Sequence, residues 1–266
     1  MAVDRRSVLR GFIACACCAT AGASFAETAG HGGGSADHGG PAAAHWGYEG
    51  EGAPDKWGDL QADYKMCRLG AEQTPIDLVA GIKGDPGASQ HDYKAMPLRI
   101  VNNGHTIQVN ADPGSACVID GVRYELLQFH FHHPSEHLMA GKRFEMECHF
   151  LHKSADGMLA VTGVLIRPGA ENGALKAVFD QLPATAGPEV RVAGTIDPAA
   201  VLPRSGGTFR YMGSLTTPPC SEGLTWTVFR EPIELSPAQI QRFAALFQGN
   251  ARPVQRRNRR FLIESF

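Results

Sequence analysis

The chain has almost no net charge: 25 Lys and Arg stand against 27 Asp and Glu, a formal charge of −2 over 266 residues. That balance excludes the electrostatic footprint of a general DNA or RNA binder, and the five arginines from Arg252 to Arg260 are too local to restore it. Long apolar runs are missing as well. The apolar stretch from Gly11 to Ala23 falls short of the ~20 residues that a membrane span needs and is diluted by Ala and Gly. No internal repeat is present, and there is no H-E-x-x-H of a helical zinc site. What is plentiful is turn chemistry. Glycine at 31 and proline at 17 favour a strand-rich fold over a helical bundle, while 43% hydrophobic with 20% charged residues is ordinary globular usage.

Arg5 and Arg6, the apolar stretch behind them and Ser24-Phe25-Ala26 read as a secretory leader of twin-arginine character over residues 1–26. The expected location is therefore the periplasm or outside the cell, with no transmembrane segment in the mature chain. Acylation at Cys15 or Cys18 stays open. Loss of the leader removes three Arg and one Asp, leaving 22 against 26 and a charge of −4. Residues 27–44, rich in Gly and Ala with His31 and His38, read as a tether, and residues 45–266 as one domain. Of seven cysteines, Cys67, Cys117, Cys148 and Cys220 remain, enough for one or two bridges in an oxidising compartment, and the sequence by itself allows any pairing.

Within the domain the apolar pattern alternates with a period of two. Ala116 to Ile119 and Val122 to Leu127 flank Asp120-Gly121, the favoured chemistry of a two-residue hairpin, and Ser154 to Gly157 marks another turn. Helical spacing is confined to Gly173–Leu182 and to a segment from Ser236, where Pro237 and Gln239 complete a capping box. The expected fold is mainly β (α+β): a single domain with a large central twisted, mostly antiparallel sheet and short peripheral helices.

Chemistry is concentrated in two strands. Gln128, His130 and His132 share one face of the first while Phe129 and Phe131 take the other. In Arg143 to Leu151 the apolar side holds Phe144, Met146, Cys148 and Phe150, the polar side Glu145, Glu147 and His149. If the aromatic faces share a core, the three histidines converge opposite it. Three neutral imidazoles with a free fourth position suit catalytic zinc; calcium and magnesium want oxygen ligands, whereas ligand type alone does not exclude copper or cobalt. Gln128 and Glu147 each precede a ligand by two residues, placed to accept its second ring N–H. Against this stands the plain reading of a solvated polar face. His152 has the phase of a core histidine, and His133 and His137, separated by Pro134, are not a helical metal pair.

At this point the motifs resemble a family. Leu127-Gln128-Phe129-His130-Phe131-His132, Ser135-Glu136-His137, Glu147-Cys148-His149 and Tyr211 to Pro219 are similar to the alpha-class carbonic anhydrases, exported bacterial branch. His45-Trp46-Gly47-Tyr48, Gln73 to Leu78, Asn102 to His105, Glu231-Pro232-Ile233 and Arg252-Pro253 follow in the family's order. The resemblance implies reversible hydration of carbon dioxide to bicarbonate and a proton by zinc-bound hydroxide. It implies zinc on His130, His132 and His149, with Gln128, Glu147 and the carbonyl of Asn250 behind them, and Thr216 working with ionised Glu136. His105 is implied as proton shuttle, with Tyr48, Asn103 and Gln108 ordering its waters, and Leu151, Val161, Leu215, Leu224 and Trp226 as the substrate wall. Sulfonamides and small anions are the implied inhibitors. A Cys67–Cys220 disulfide and cis peptides at Thr74-Pro75 and Pro218-Pro219 are implied too. His133 and Pro134 stand where animal members usually have Trp and Gly, and Leu151 where Val is usual. Two other readings remain: a silent binding module, which typically lacks a zinc histidine, and a zinc store using His31 and His38.

Overall fold

The alternating histidines and phenylalanines are set by one antiparallel ladder. Strand Val122–His132 pairs with Met146–Ser154 so that His130 opposes His149, His132 opposes Glu147 and Phe129 opposes Phe150. The computed structural model describes residues 45–265 apart from Ala88 and Ser205; the expected leader (1–26) and tether (27–44) lie outside the described residues.

Among the described residues a 13-stranded sheet runs around that ladder. Its main path is Val190–Ile196, Met96–Asn102, Ile107–Asn110, Val122–His132, Met146–Ser154, Leu159–Pro168, Glu222–Phe229, Thr208–Ser214, Ile263–Glu264 and Ile82–Lys83. Pairing is antiparallel except where Leu159–Pro168 meets Glu222–Phe229 and Ile233–Leu235, and where Ile263–Glu264 meets Ile82–Lys83. The mainly β fold with short peripheral helices is thus what the chain adopts. No helix among the described residues is long and apolar enough to cross a membrane.

Local sequence explains the corners. Asp120 and Gly121 take positive φ, 51° and 80°, as the tight hairpin between Ala116–Ile119 and Val122–His132 requires. Ser236 caps Pro237–Ala244 with the full capping box, and Ile240 and Phe243 bury its apolar stripe. The other expected helix is shorter. Only Lys176–Asp180 is α-helical: residues 173–175 form a turn, with the Lys176 N–H on the Gly173 carbonyl and the Leu175 N–H on Asn172 Oδ1.

Two apolar clusters pack against opposite faces of the sheet. Phe129, Phe131, Cys148, Phe150, Val164 and Phe243 belong to one; Ile76, Val161, Leu165, Tyr211, Leu224 and Trp226 to the other. Phe144 packs with the second cluster, not with Cys148 and Phe150. The strand begins only at Met146, and Phe144 is held earlier by reciprocal bonds with Ser135, so the alternation does not carry through. A third cluster joins Trp57 to the Cys67–Cys220 disulfide. Cys117 and Cys148 are buried free thiols.

Candidate metal centre

The ladder register places His130, His132 and His149 side by side, with one nitrogen of each ring within 4.8 Å of the others. The remaining nitrogens are all occupied. His130 Nδ1 donates to Gln128 Oε1 at 2.8 Å, His132 Nδ1 to the Asn250 carbonyl at 2.7 Å, and His149 Nε2 to Glu147 Oε1 at 2.9 Å. These bonds fix the tautomers and leave Nε2, Nε2 and Nδ1 facing one another. His132 Nε2 is buried without a hydrogen-bond partner. Burial first, then neighbouring histidine charge, holds His130 well below its ordinary value; burial lowers His132 to about 4 and lowers His149 too. Three neutral lone pairs therefore converge at pH 7.

A second histidine–carboxylate group, His137, Glu147 and His149, is of another kind. His137 Nδ1 lies 2.7 Å from Glu147 Oε1 and its Nε2 2.6 Å from the Tyr211 hydroxyl, so both ring nitrogens are used within the protein. Glu147 Oε2 accepts the N–H groups of Glu136 and His137. Burial would raise Glu147, but the His137 and His149 charges and hydrogen bonds outweigh it and keep it well below the usual carboxylate range. His152 bonds the Tyr93 hydroxyl through Nε2 and the Ala160 carbonyl through Nδ1 in the core, and His133 points toward Glu145 at 3.7 Å.

Glu136 sits beneath the three free nitrogens, fully buried. Oε1 accepts the Arg252 N–H at 2.8 Å; Oε2 makes no full hydrogen bond and faces His132 Nε2 at 3.5 Å and His149 Nδ1 at 3.8 Å, with the Thr216 hydroxyl alongside. Burial pushes its carboxyl up to about 7 against the pull of His149, Arg252 and Thr216. The Thr216 loop is braced on both sides. The Ser214 Oγ and N–H exchange bonds with Thr74, Trp226 Nε1 donates to the Ser214 carbonyl, and Cys220 is tied to Cys67. Both Thr74-Pro75 and Pro218-Pro219 are cis, and so is His133-Pro134.

Leu151, Val161, Leu215, Leu224 and Trp226 lie together in one apolar cluster, and the Trp226 ring stands 4.9 Å edge-on from His149. His105 is placed differently. Its ring stacks on Trp46 at 3.6 Å and on His45 at 5.1 Å; burial, then the His45 charge, lowers it to about 4. Asn103 Oδ1 is used by the N–H groups of His105 and Thr106, Gln108 bonds Asn110, and Tyr48 joins Trp46 and Trp57. An open groove of about 400 Å³ lined by Asn172, Leu202, Glu231 and Glu234 shares no residue with the histidines.

Sequence reasoning gave Arg252 no role of its own beyond a local run of arginines and the Arg252-Pro253 motif. Arg252 is 1% exposed, donates to the carbonyls of Thr74 and Cys67, and lies over the Trp57 ring at 5.7 Å. It also missed the Tyr211–His137 link and the stack over His105; partners so distant leave no periodic signal.

Comparison with known proteins bears on kinship. A family model described as eukaryotic-type carbonic anhydrase matches residues 52–266. A carbonic anhydrase of Nostoc sp. is 45% identical over 227 residues, 83% of this chain and 86% of that protein. The alpha-carbonic anhydrase of Thermovibrio ammonificans, solved with the inhibitor sulfanilamide, superposes with a TM-score of 0.81 at 42% identity, over 84% of this chain and all of that one. Dioscorin, solved with ascorbate, also superposes, at 33% identity and a TM-score of 0.78, over 83% of this chain and 98% of its own. A shared sheet, a shared length and identities of 40% or more to proteins named for one activity leave no ambiguity of kinship: the chain belongs to the carbonic anhydrase family.

Proposed function

We propose that this chain hydrates carbon dioxide reversibly to bicarbonate and a proton, the family's general reaction, with zinc held by His130, His132 and His149. The observation that carries the reading is the orphaned, buried Nε2 of His132, aimed with two other fixed lone pairs at one point. An all-imidazole donor set suits zinc and leaves its full charge uncompensated by ligands. When bound, zinc supplies the Lewis acidity that yields a hydroxide nucleophile from water near neutral pH, a property for which carbonic anhydrases are the standard example.

The protein's own groups do the rest. Gln128, Glu147 and the Asn250 carbonyl hold the rings in the required tautomers. With zinc held there, Glu136 would be favoured in its ionised form and would accept the Thr216 hydroxyl proton in a hydrogen bond. The Thr216 oxygen is then left as an acceptor, which selects ligands that can donate to it. Leu151, Val161, Leu215, Leu224 and Trp226 form a dry wall suited to a small apolar substrate. His105, on the turn beside the site, carries protons to buffer; stacked under Trp46 and His45 it is a weak base, and its basicity rises where water reaches the ring. Tyr48, Asn103 and Gln108 line the route between them. Residues 1–26 act as an export leader, 27–44 as a tether and 45–266 as the catalytic domain, which accords with the Cys67–Cys220 disulfide.

Sulfonamides and small anions should inhibit, because an uncompensated cation beside an acceptor favours a deprotonated nitrogen that still carries one hydrogen. Thr216→Val tests this. Both hydration and sulfanilamide affinity are expected to fall by ~100-fold or more, as when a preorganised polar group at a reacting centre is removed; wild-type values for both would overturn the role of Thr216.

A further inference from the structure

Asn250 reaches the site twice. Its main-chain carbonyl accepts from His132, while its side chain, in a residue 1% exposed, bridges three other backbone groups. Nδ2 donates to the carbonyls of His105 and Phe131, each at 3.0 Å, and Oδ1 accepts the His133 N–H at 2.7 Å. The main-chain N–H closes on the His133 carbonyl at 3.0 Å. The carboxamide orientation is therefore determined: a flip would set an oxygen against two carbonyls and an NH2 against an N–H.

The Phe131 carbonyl belongs to the peptide that joins Phe131 to His132, and a second side chain meets it. Thr106 Oγ1 donates to it at 2.5 Å and accepts the Phe131 N–H at 3.3 Å. Thr106 closes the turn that carries His105. That turn is rigid in itself, with Asn103 Oδ1 taking the His105 and Thr106 N–H groups at 2.9 Å, Asn103 N–H bonding the Thr106 carbonyl, and Gly104 at a φ of 87°. A preformed turn is thus pinned to the histidine-bearing strand by two buried side chains, both on one carbonyl.

We infer that Asn250, through its carboxamide, and Thr106, through its hydroxyl, are positioning residues that fix the His105 turn relative to the metal-binding strand and thereby set proton export. The inference rests on the proposed reading of His105 as the proton carrier. Neither side chain contacts the reacting atoms; each acts through the backbone of the turn. Two distant parts of the reaction, metal orientation and proton export, therefore share Asn250 as a common support.

The test compares Thr106→Val, Thr106→Ser and Asn250→Ala with His105→Ala in the zinc-loaded enzyme, and titrates the His105 ring by NMR in the zinc-free protein. Thr106→Val is expected to lower kcat in concentrated buffer roughly tenfold, within the ~100-fold that a misplacement of about 1 Å costs, while kcat/KM stays near wild type. Thr106→Ser restores kcat, and Thr106→Val adds nothing once His105 is Ala. Asn250→Ala lowers kcat more than kcat/KM. In the zinc-free protein Thr106→Val shifts the His105 titration. Parallel falls in kcat and kcat/KM, or an unmoved titration, would overturn the positioning role even if His105→Ala is defective. An undiminished kcat in His105→Ala would instead remove the proton-carrier reading, and the inference with it; if Asn250→Ala does not fold, the Thr106 pair decides alone.

Discussion

The two faces of the Val122–His132 and Met146–Ser154 ladder are chemically opposite, although most of both is buried. Phe129, Phe131, Cys148 and Phe150 are all 0% exposed on one side; on the other His132, Glu147 and His149 are no more than 1% exposed, while Gln128 and His130 are half-buried. The apolar face needs only volume and close contact, so Phe129 and Phe150 simply stack at 5.2 Å. The polar face needs a specific partner for every nitrogen and oxygen, because a buried unsatisfied polar atom costs about 1–3 kcal/mol. It finds one for nearly all of them. The exceptions, His132 Nε2 and Glu136 Oε2, occur where three ring nitrogens meet. Buried polar atoms left without a partner locate the centre better than any cavity does.

Substitutions on the two faces should therefore fail in different ways. The largest expected effect is His149→Ala, which removes one of three ligands: zinc binding and hydration fall to background in a protein that still unfolds cooperatively. Retained zinc with full hydration would remove His149 from the ligand set. Across the same ladder, Phe129→Ala is expected to cost about 3–5 kcal/mol in urea unfolding, while the folded fraction keeps its zinc affinity. A variant as stable as the parent would show that the aromatic face is not the core.

A smaller effect concerns pH. Burial, then the His91 charge, lowers His152 to about 3 from an ordinary 6.5, so the unfolded chain binds this proton more readily than the native one. Its contribution is present above pH 6.5 and is lost as pH falls toward 3. It amounts to about 3 kcal/mol between pH 7 and pH 4. His152→Asn should flatten the stability profile in that window, whatever its effect at pH 7; an unchanged slope would contradict neutral burial. The smallest effect is expected at Gln128→Ala, which leaves His130 in place but frees its ring, and zinc affinity should drop ~10- to 100-fold by chelator competition. No change would mean that the Gln128 bond does not orient the ligand.

The same contrast explains what was legible in the sequence. Strand alternation is local, so the histidine face, the Asp120-Gly121 hairpin and the Ser236 cap could be read from neighbours within a few residues. Phe144 misled because the strand is interrupted before Met146, and a period cannot be carried across a break. Lys176–Asp180 came out short: residues 173–175 close in a turn under the Asn172 side chain, and Asn172 is itself held by Gln239 and Glu234, more than 60 positions away. Arg252 drew notice only in a local run of arginines and in the Arg252-Pro253 motif, yet it is buried against Thr74 and Cys67, 178 and 185 residues distant. Resemblance supplied Thr216, Glu136 and the Asn250 carbonyl, which no local pattern carries. The Asn250 carboxamide and the ring stack over His105 became visible only in three dimensions.

The central claim is that three neutral histidines on the polar face hold a single zinc on which hydration depends. Metal analysis of the purified protein, with stopped-flow carbon dioxide hydration before chelation, after chelation and after zinc is returned, tests it most directly. The account predicts one zinc per chain, loss of hydration with the metal and recovery on adding zinc back; hydration that persists in fully metal-free protein would contradict it.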